Sequence, residues 1–199
     1  MMPFCNPKSP TLAKTRSGQT HTKVEKDVSA GGGGSNGLEP LLENIEAYNW
    51  TLGSYLGYGL SGACFRGHRV FDSPEVEGMV KLWTAFWERH RVILAQDVIH
   101  VRRPDYQSID AVMHVDGNRS RSTCGLVMAY NPTDFALQTT LQLDLWYTGE
   151  AEAVVVTESD RSPSVDDKIA IGRDYTIPLS VALPARGMSY FVLRRDGSM

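Results

Sequence analysis

Large apolar residues are scarce over the first 37 positions and then recur with two different periods. From residue 38 or 40 to about 58, Leu41, Leu42, Ile45, Tyr48, Leu52, Tyr55 and Leu56 fall three and four apart. That spacing predicts a helix with one apolar face. Gly53, Gly57 and Gly59 weaken its later turns, and they either end the helix or let a neighbouring element come close. The run Leu60-Ser61-Gly62-Ala63-Cys64-Phe65-Arg66-Gly67 is short, apolar and bounded by glycine, which reads as a short strand or a loop. A second helix follows with the strongest signals in the chain. Ser73 suits its N-cap, Pro74 its first helical position, and Glu75 and Glu77 its positive end. Val76, Met79, Val80, Trp83, Phe86, Trp87, Ile93 and Leu94 then make a wide apolar face. Arg89, His90 and Arg91 stand near its end, where positive charge suits the helix dipole.

From about residue 97 the period falls to two. A run over 98–103 stops at Pro104. Ile109, Ala111, Met113 and Val115 alternate with Asp110, Val112 and His114. Residues 123–130 form another strand, closed by the turn Asn131-Pro132-Thr133-Asp134. Residues 137–147 set Leu141, Leu143 and Leu145 on one side against Gln142 and Asp144 on the other. Residues 153–157 are a short buried-type run, Tyr175 to Leu183 alternate again, and 188–193 make the last strand. Seven or so short strands separated by turn signals predict an antiparallel β-sandwich. Helices feeding into such a sandwich give an α+β fold. The expected organisation is a leader over 1–37, a helical part over 38–95 and a β-sandwich over 96–199, with no internal repeat.

Composition narrows the function classes. The chain has 199 residues, 42% hydrophobic and 22% charged, which is enough for a real core. Its net charge of -3 argues against a nucleic-acid partner, which calls for a clustered basic surplus. Lys8, Lys14, Arg16, Lys23 and Lys26 against Glu25 and Asp27 make the leader basic, and the rest of the chain is acidic. The leader lacks the apolar side chains to offset the entropy of ordering, so disorder is expected there. Its run Gly31-Gly32-Gly33-Gly34-Ser35-Asn36-Gly37 reads as a flexible linker; a phosphate-cradling loop needs a preceding strand and a lysine, and neither is present. No stretch reaches the ~18 apolar residues of a membrane span, and no signal peptide is visible, so the default compartment is the cytoplasm. Cys5, Cys64 and Cys124 fit neither zinc spacing nor a disulfide framework, which points to free thiols.

A family resemblance rests on several motifs together. They are Leu52-Gly53-Ser54-Tyr55-Leu56-Gly57-Tyr58-Gly59, Cys64-Phe65-Arg66-Gly67 and Phe71-Asp72-Ser73-Pro74-Glu75, then His100-Val101-Arg102-Arg103-Pro104-Asp105, Asp110 and His114-Val115. Tyr130-Asn131-Pro132-Thr133, Tyr147-Thr148-Gly149 and Arg173-Asp174-Tyr175 extend it. Over roughly residues 40–195 the chain resembles the C-terminal part of alpha-galactosidase-like glycoside hydrolases, in which a catalytic (β/α)₈ barrel is followed by a β-sandwich. The resemblance implies that residues 38–95 are the remnant of a truncated barrel: its seventh helix, eighth strand and eighth helix. A whole barrel needs ~250 residues, and its catalytic carboxylates stand at strand ends that have no counterpart here. It also implies that Cys64, Phe65 and Arg66 lie at the C-terminal end of the eighth strand, facing a carbohydrate ligand, with the Arg66 fork able to hold sugar hydroxyls.

Glycoside hydrolysis needs two carboxyls flanking the bond, one to protonate the leaving oxygen and one to attack or activate water. Glu39, Glu43 and Glu46 read as a solvated helix face, and Asp105 and Asp110 as turn residues, so no catalytic pair is assigned. Asp110 and His114, four residues apart on a strand, are ~13 Å apart and too far to share an ion. No metal and no cofactor are therefore expected. Trp83 and Trp87 read as helix anchors, with a sugar platform as the alternative; Trp50 and Trp146 share that ambiguity. Arg102 and Arg103 suggest cross-strand salt bridges. The expected function is a glycoside-hydrolase-like fragment, inactive alone, whose helical face calls for a protein partner. The alternatives are a carbohydrate- or protein-binding sandwich module and a glycosidase completed by another chain.

Overall fold

A computed structural model describes residues 40–60, 70–160, 162–164 and 167–197. The leader expected over 1–37 and residues 61–67 of the glycine-bounded run lie outside the described residues. The fold is α+β, with two helices followed by eight antiparallel strands among the described residues. Among the described residues no helix is long and apolar enough to cross a membrane. The described chain divides into two compact units. One holds residues 40–56, 60 and 70–88; the other holds 57–59 and 89–197.

In the first unit, helix α1 is Ile45–Gly57 and helix α2 is Pro74–Leu94, each running on into the second unit at its C-terminal end. Helix α1 begins later than its apolar spacing predicts. The Leu41 and Leu42 N–H groups donate to Asp72 Oδ2, at 2.7 and 3.3 Å, and residues 41–44 form turns. The helical ladder opens with the Tyr48 N–H on the Asn44 carbonyl. Helix α2 starts where its cap signals place it: Ser73 Oγ accepts the Val76 N–H at 3.2 Å, with Pro74 first in the helix. Leu41, Tyr48, Leu52 and Val76 form this unit's core, with Ile45, Met79, Val80 and Trp83 packed on it.

In the second unit, β1 (Asp97–His100), β2 (Asp110–Val115), β3 (Thr123–Tyr130), β8 (Met188–Arg195), β5 (Ala153–Glu158) and β6 (Lys168–Ala170) form one sheet in that order. Strands β4 (Leu137–Asp144) and β7 (Thr176–Leu183) form a separate two-stranded ribbon. The sandwich core lies between them. Ala111, Met113, Val127 and Leu193 from the large sheet meet Leu143, Ile177, Leu179 and Val181 from the ribbon. The ribbon turns its other side outward, with Gln138, Thr140, Gln142 and Ser180 exposed. The large sheet is buried on both faces through β2 and β3. Its second face carries Val112, His114, Leu126, Met128 and Tyr130, against which residues 57–59 and the end of α2 are laid.

Several strand ends differ from the sequence pattern. Strand β1 ends at His100, because Asp105 gathers the following residues into a turn by accepting the Gln107 and Ser108 N–H groups. Strand β4 ends at Asp144, because its Oδ1 accepts the Trp146 N–H and starts a 3-10 helix, Trp146–Thr148. Strand β6 is only three residues long, too short to show a period.

Candidate functional site

The residues predicted to face a sugar, Cys64, Phe65 and Arg66, lie outside the described residues. Glu39 lies outside them as well; the remaining sequence candidates are placed, and most carry structural duties. Asp105 accepts the Ser108 hydroxyl and pairs with Arg102. Arg102 is thus engaged three positions along its own turn rather than across strands. Trp83 donates from Nε1 to Asn49 Oδ1 at 2.7 Å and meets Phe86 edge-on at 5.4 Å. It therefore ties α2 to α1. Among the described residues no group of three or more His, Cys, Asp or Glu side chains is arranged to hold a metal ion. His114 is fully buried, with Nε2 donating to the Gly57 carbonyl at 2.8 Å, and burial lowers its pKa. Cys124 is a free buried thiol, pushed up to about 12 by burial, and is no nucleophile at neutral pH.

Two polar networks are legible only in three dimensions. His90, near the end of α2, is bonded through Nε2 to Asp160 Oδ1 at 3.0 Å, while Arg89 pairs with the other oxygen of the same carboxylate. The Tyr190 hydroxyl also bonds Asp160, and its ring meets His90 edge-on at 5.4 Å. Burial alone would raise the Asp160 pKa, but the bonds from Tyr190 and His90 outweigh it and hold the carboxyl below its usual range. His90 itself is lowered by burial against the pull of Asp160. The pair lies 70 positions apart in sequence. The basic cluster of Arg89 to Arg91 is the only local sign of it, and that cluster equally fits a helix end. In the second network Arg195, 7% exposed, donates to the carbonyls of Arg121, Thr148 and Asp116 and pairs with Glu150. Arg121 in turn bonds Asp116 Oδ2 at 2.6 Å. A cavity of about 250 Å³ opens beside both networks, reached by Arg89, His90, Asp116, Arg121 and Ser122. Its charged side chains are already paired with one another or with Asp160, so the networks brace the sandwich.

Asp110 is different. It opens β2 opposite Tyr130, and burial raises its pKa. Its Oδ1 is buried and has no hydrogen-bond partner. Tyr58 stacks on Tyr130 with centroids 6.0 Å apart, and both hydroxyls are raised, by burial first and by the Asp110 charge as well.

Of the four tryptophans, Trp50, Trp83 and Trp87 are half-buried and Trp146 is 61% exposed. It stands in the 3-10 helix after β4, with exposed Tyr147 beside it and the Tyr175 ring edge-on at 4.7 Å.

No protein-family model matches this chain, and no curated protein matches it. Solved structures do. A GH27 β-L-arabinopyranosidase from Geobacillus stearothermophilus is similar at 11% identity and TM-score 0.47, over 77% of this chain and 31% of that one. A candidate alpha-N-acetylgalactosaminidase from Bacillus halodurans C-125 is similar at 18% identity and TM-score 0.47, over 76% of this chain and 32% of that one. An alpha-amylase from Geobacillus thermoleovorans, complexed with acarbose, is similar at 12% identity and TM-score 0.46, over 78% and 35%. The chain is similar to these proteins over about three quarters of its own length and spans about a third of theirs.

Proposed function

We propose that this chain corresponds to the C-terminal part of a glycoside-hydrolase-like protein, helices first and a β-sandwich last, and that it has no glycosidase activity by itself. The observation that carries the second half is the state of its carboxyl groups. A glycosidase needs a general acid with a raised pKa and a second carboxyl working across the same bond. Asp105, Asp116, Asp160 and Asp174 are all held low by hydrogen bonds. Burial instead raises the carboxyl of Asp110. Asp105, the carboxylate whose charge bears on it, has Oδ1 on two backbone N–H groups and Oδ2 on Ser108 and Arg102. A carboxylate tied in this way is a poor nucleophile and a poor base.

On this reading Cys64, Phe65 and Arg66 meet a sugar only when the remaining barrel strands are supplied, and the helical part calls for a protein surface to complete it. The test is release of nitrophenol from 4-nitrophenyl α-D-galactopyranoside and related chromogenic glycosides by the purified chain. Rates equal to the buffer blank are expected. Turnover that Asp110→Asn abolishes would overturn the reading.

A further inference from the structure

We propose that Trp146, with Tyr147 beside it, forms a shelf on the sandwich that stacks on the apolar face of a sugar ring. Both side chains are large and exposed, at 61% and 59%. An exposed indole on a flexible loop would carry little meaning, but this one is fixed from several directions. Asp144 Oδ1 accepts the Trp146 N–H at 2.9 Å, and the Thr148 hydroxyl donates to the Leu145 carbonyl at 2.7 Å. Gly149, at φ 74°, closes the turn by donating to the Trp146 carbonyl, and Arg119 donates to the Gly149 carbonyl at 2.6 Å. The Leu145 N–H donates to the Tyr175 carbonyl at 2.8 Å.

Tyr175 supplies the second sign. It is a non-glycine residue at φ 62°, a left-handed conformation that is strained for a residue bearing a side chain and persists only where the fold holds it. In that conformation its ring stands at 88° to the indole, 4.7 Å between centroids, bracing Trp146 without covering it. A rigid aromatic surface binds with little ordering cost.

The size of the shelf selects its occupant. Two rings at this exposure offer roughly 200–300 Å² of apolar surface. A stable protein interface needs about 800 Å² per partner, so the shelf suits one small ring rather than a protein face. The carboxylate of Asp144, two residues before Trp146, and the guanidinium of Arg119, brought to the far end of the turn by its bond to the Gly149 carbonyl, are both exposed and supply polar groups for hydroxyls. An apolar face edged by hydroxyls is the chemistry of a pyranose. The choice of a sugar over another small flat ligand rests on the glycoside-hydrolase-like reading above; the shelf itself does not.

The test is affinity electrophoresis of the whole chain through native gels containing galactomannan or starch, against gels without polysaccharide. Retardation in at least one polysaccharide is expected. Trp146→Ala should weaken it by about tenfold or more, as for a central aromatic contact, and Trp146→Phe should retain part of it. Thermal melts of both variants establish that they fold, and Tyr147→Ala gives an independent variant in the same shelf. No retardation in either polysaccharide, or retardation unchanged in both Trp146→Ala and Tyr147→Ala, overturns the proposal. Binding together with glycoside turnover would sink the inactive-fragment reading and leave the shelf standing; neither binding nor turnover would do the reverse.

Discussion

At the residue scale, the buried histidines make stability depend on pH in a definite direction. Burial lowers the pKa of both His90 and His114 in the folded chain, whereas the unfolded chain titrates near the ordinary value of about 6.5. The unfolded state therefore binds more protons as pH falls through that value, and folding loses free energy. Stability contributed by neutral His90 and His114 is complete above about pH 6.5 and declines below it. Urea melts at pH 7.5 and 5.5 should show a lower midpoint at the acid pH, and His114→Gln, which keeps a donor toward Gly57, should narrow the difference. An unchanged gap in that variant would assign the effect to other groups. The lowered carboxylates act in a separate window: their contribution is complete above about pH 4 and is lost only below it. Arg195 gives the largest single-residue expectation. Replacing it with Met strands the Glu150 carboxylate and three carbonyls, and should cost about 3–5 kcal/mol. A thermal melt within a degree or two of wild type would contradict that assignment.

At the scale of the element, the glycines that weaken the end of α1 on paper are what the packing uses. A side chain at Gly57 would meet the Tyr130 hydroxyl and Met128, and one at Gly59 would meet the Leu94 carbonyl. Gly59 also sits at φ 71°. Gly59→Ala should therefore destabilise by about 1–3 kcal/mol, more than a glycine-to-alanine change in an ordinary loop, readable in the urea midpoint. The two roles allowed for these glycines, ending the helix and admitting a neighbour, are both filled. Helix α2 was legible from Ser73 and Pro74 because its cap is local. The start of α1 was not, because the carboxylate that takes the Leu41 and Leu42 N–H groups belongs to Asp72, 31 positions from Leu41. Residues 109–115 gave the inward set correctly, but their alternate positions are buried too, since β2 and β3 are covered on both faces. Lys168–Ala170 left no trace, because three residues carry no period.

At the scale of the molecule, the α+β order of helices and then an antiparallel sandwich was legible from the change of period near residue 97. The division into a six-stranded sheet and a two-stranded ribbon was not, since strand order is set by long-range pairing. The site was legible only in part. Residue type alone leaves Trp146 open between core anchor and sugar platform, and its exposure and its brace on Tyr175 belong to the fold. His90 and Asp160, or Arg195 and Glu150, meet across tens of residues that no motif links. We propose that the described carboxyl groups serve structure and that none of them pairs with Asp110 to cleave a glycosidic bond. The direct measurement is the rate of nitrophenol release from 4-nitrophenyl α-D-galactopyranoside by the purified chain at high enzyme concentration, beside its Asp110→Asn variant. Blank rates are expected for both. Release by the unaltered chain that Asp110→Asn removes would contradict it.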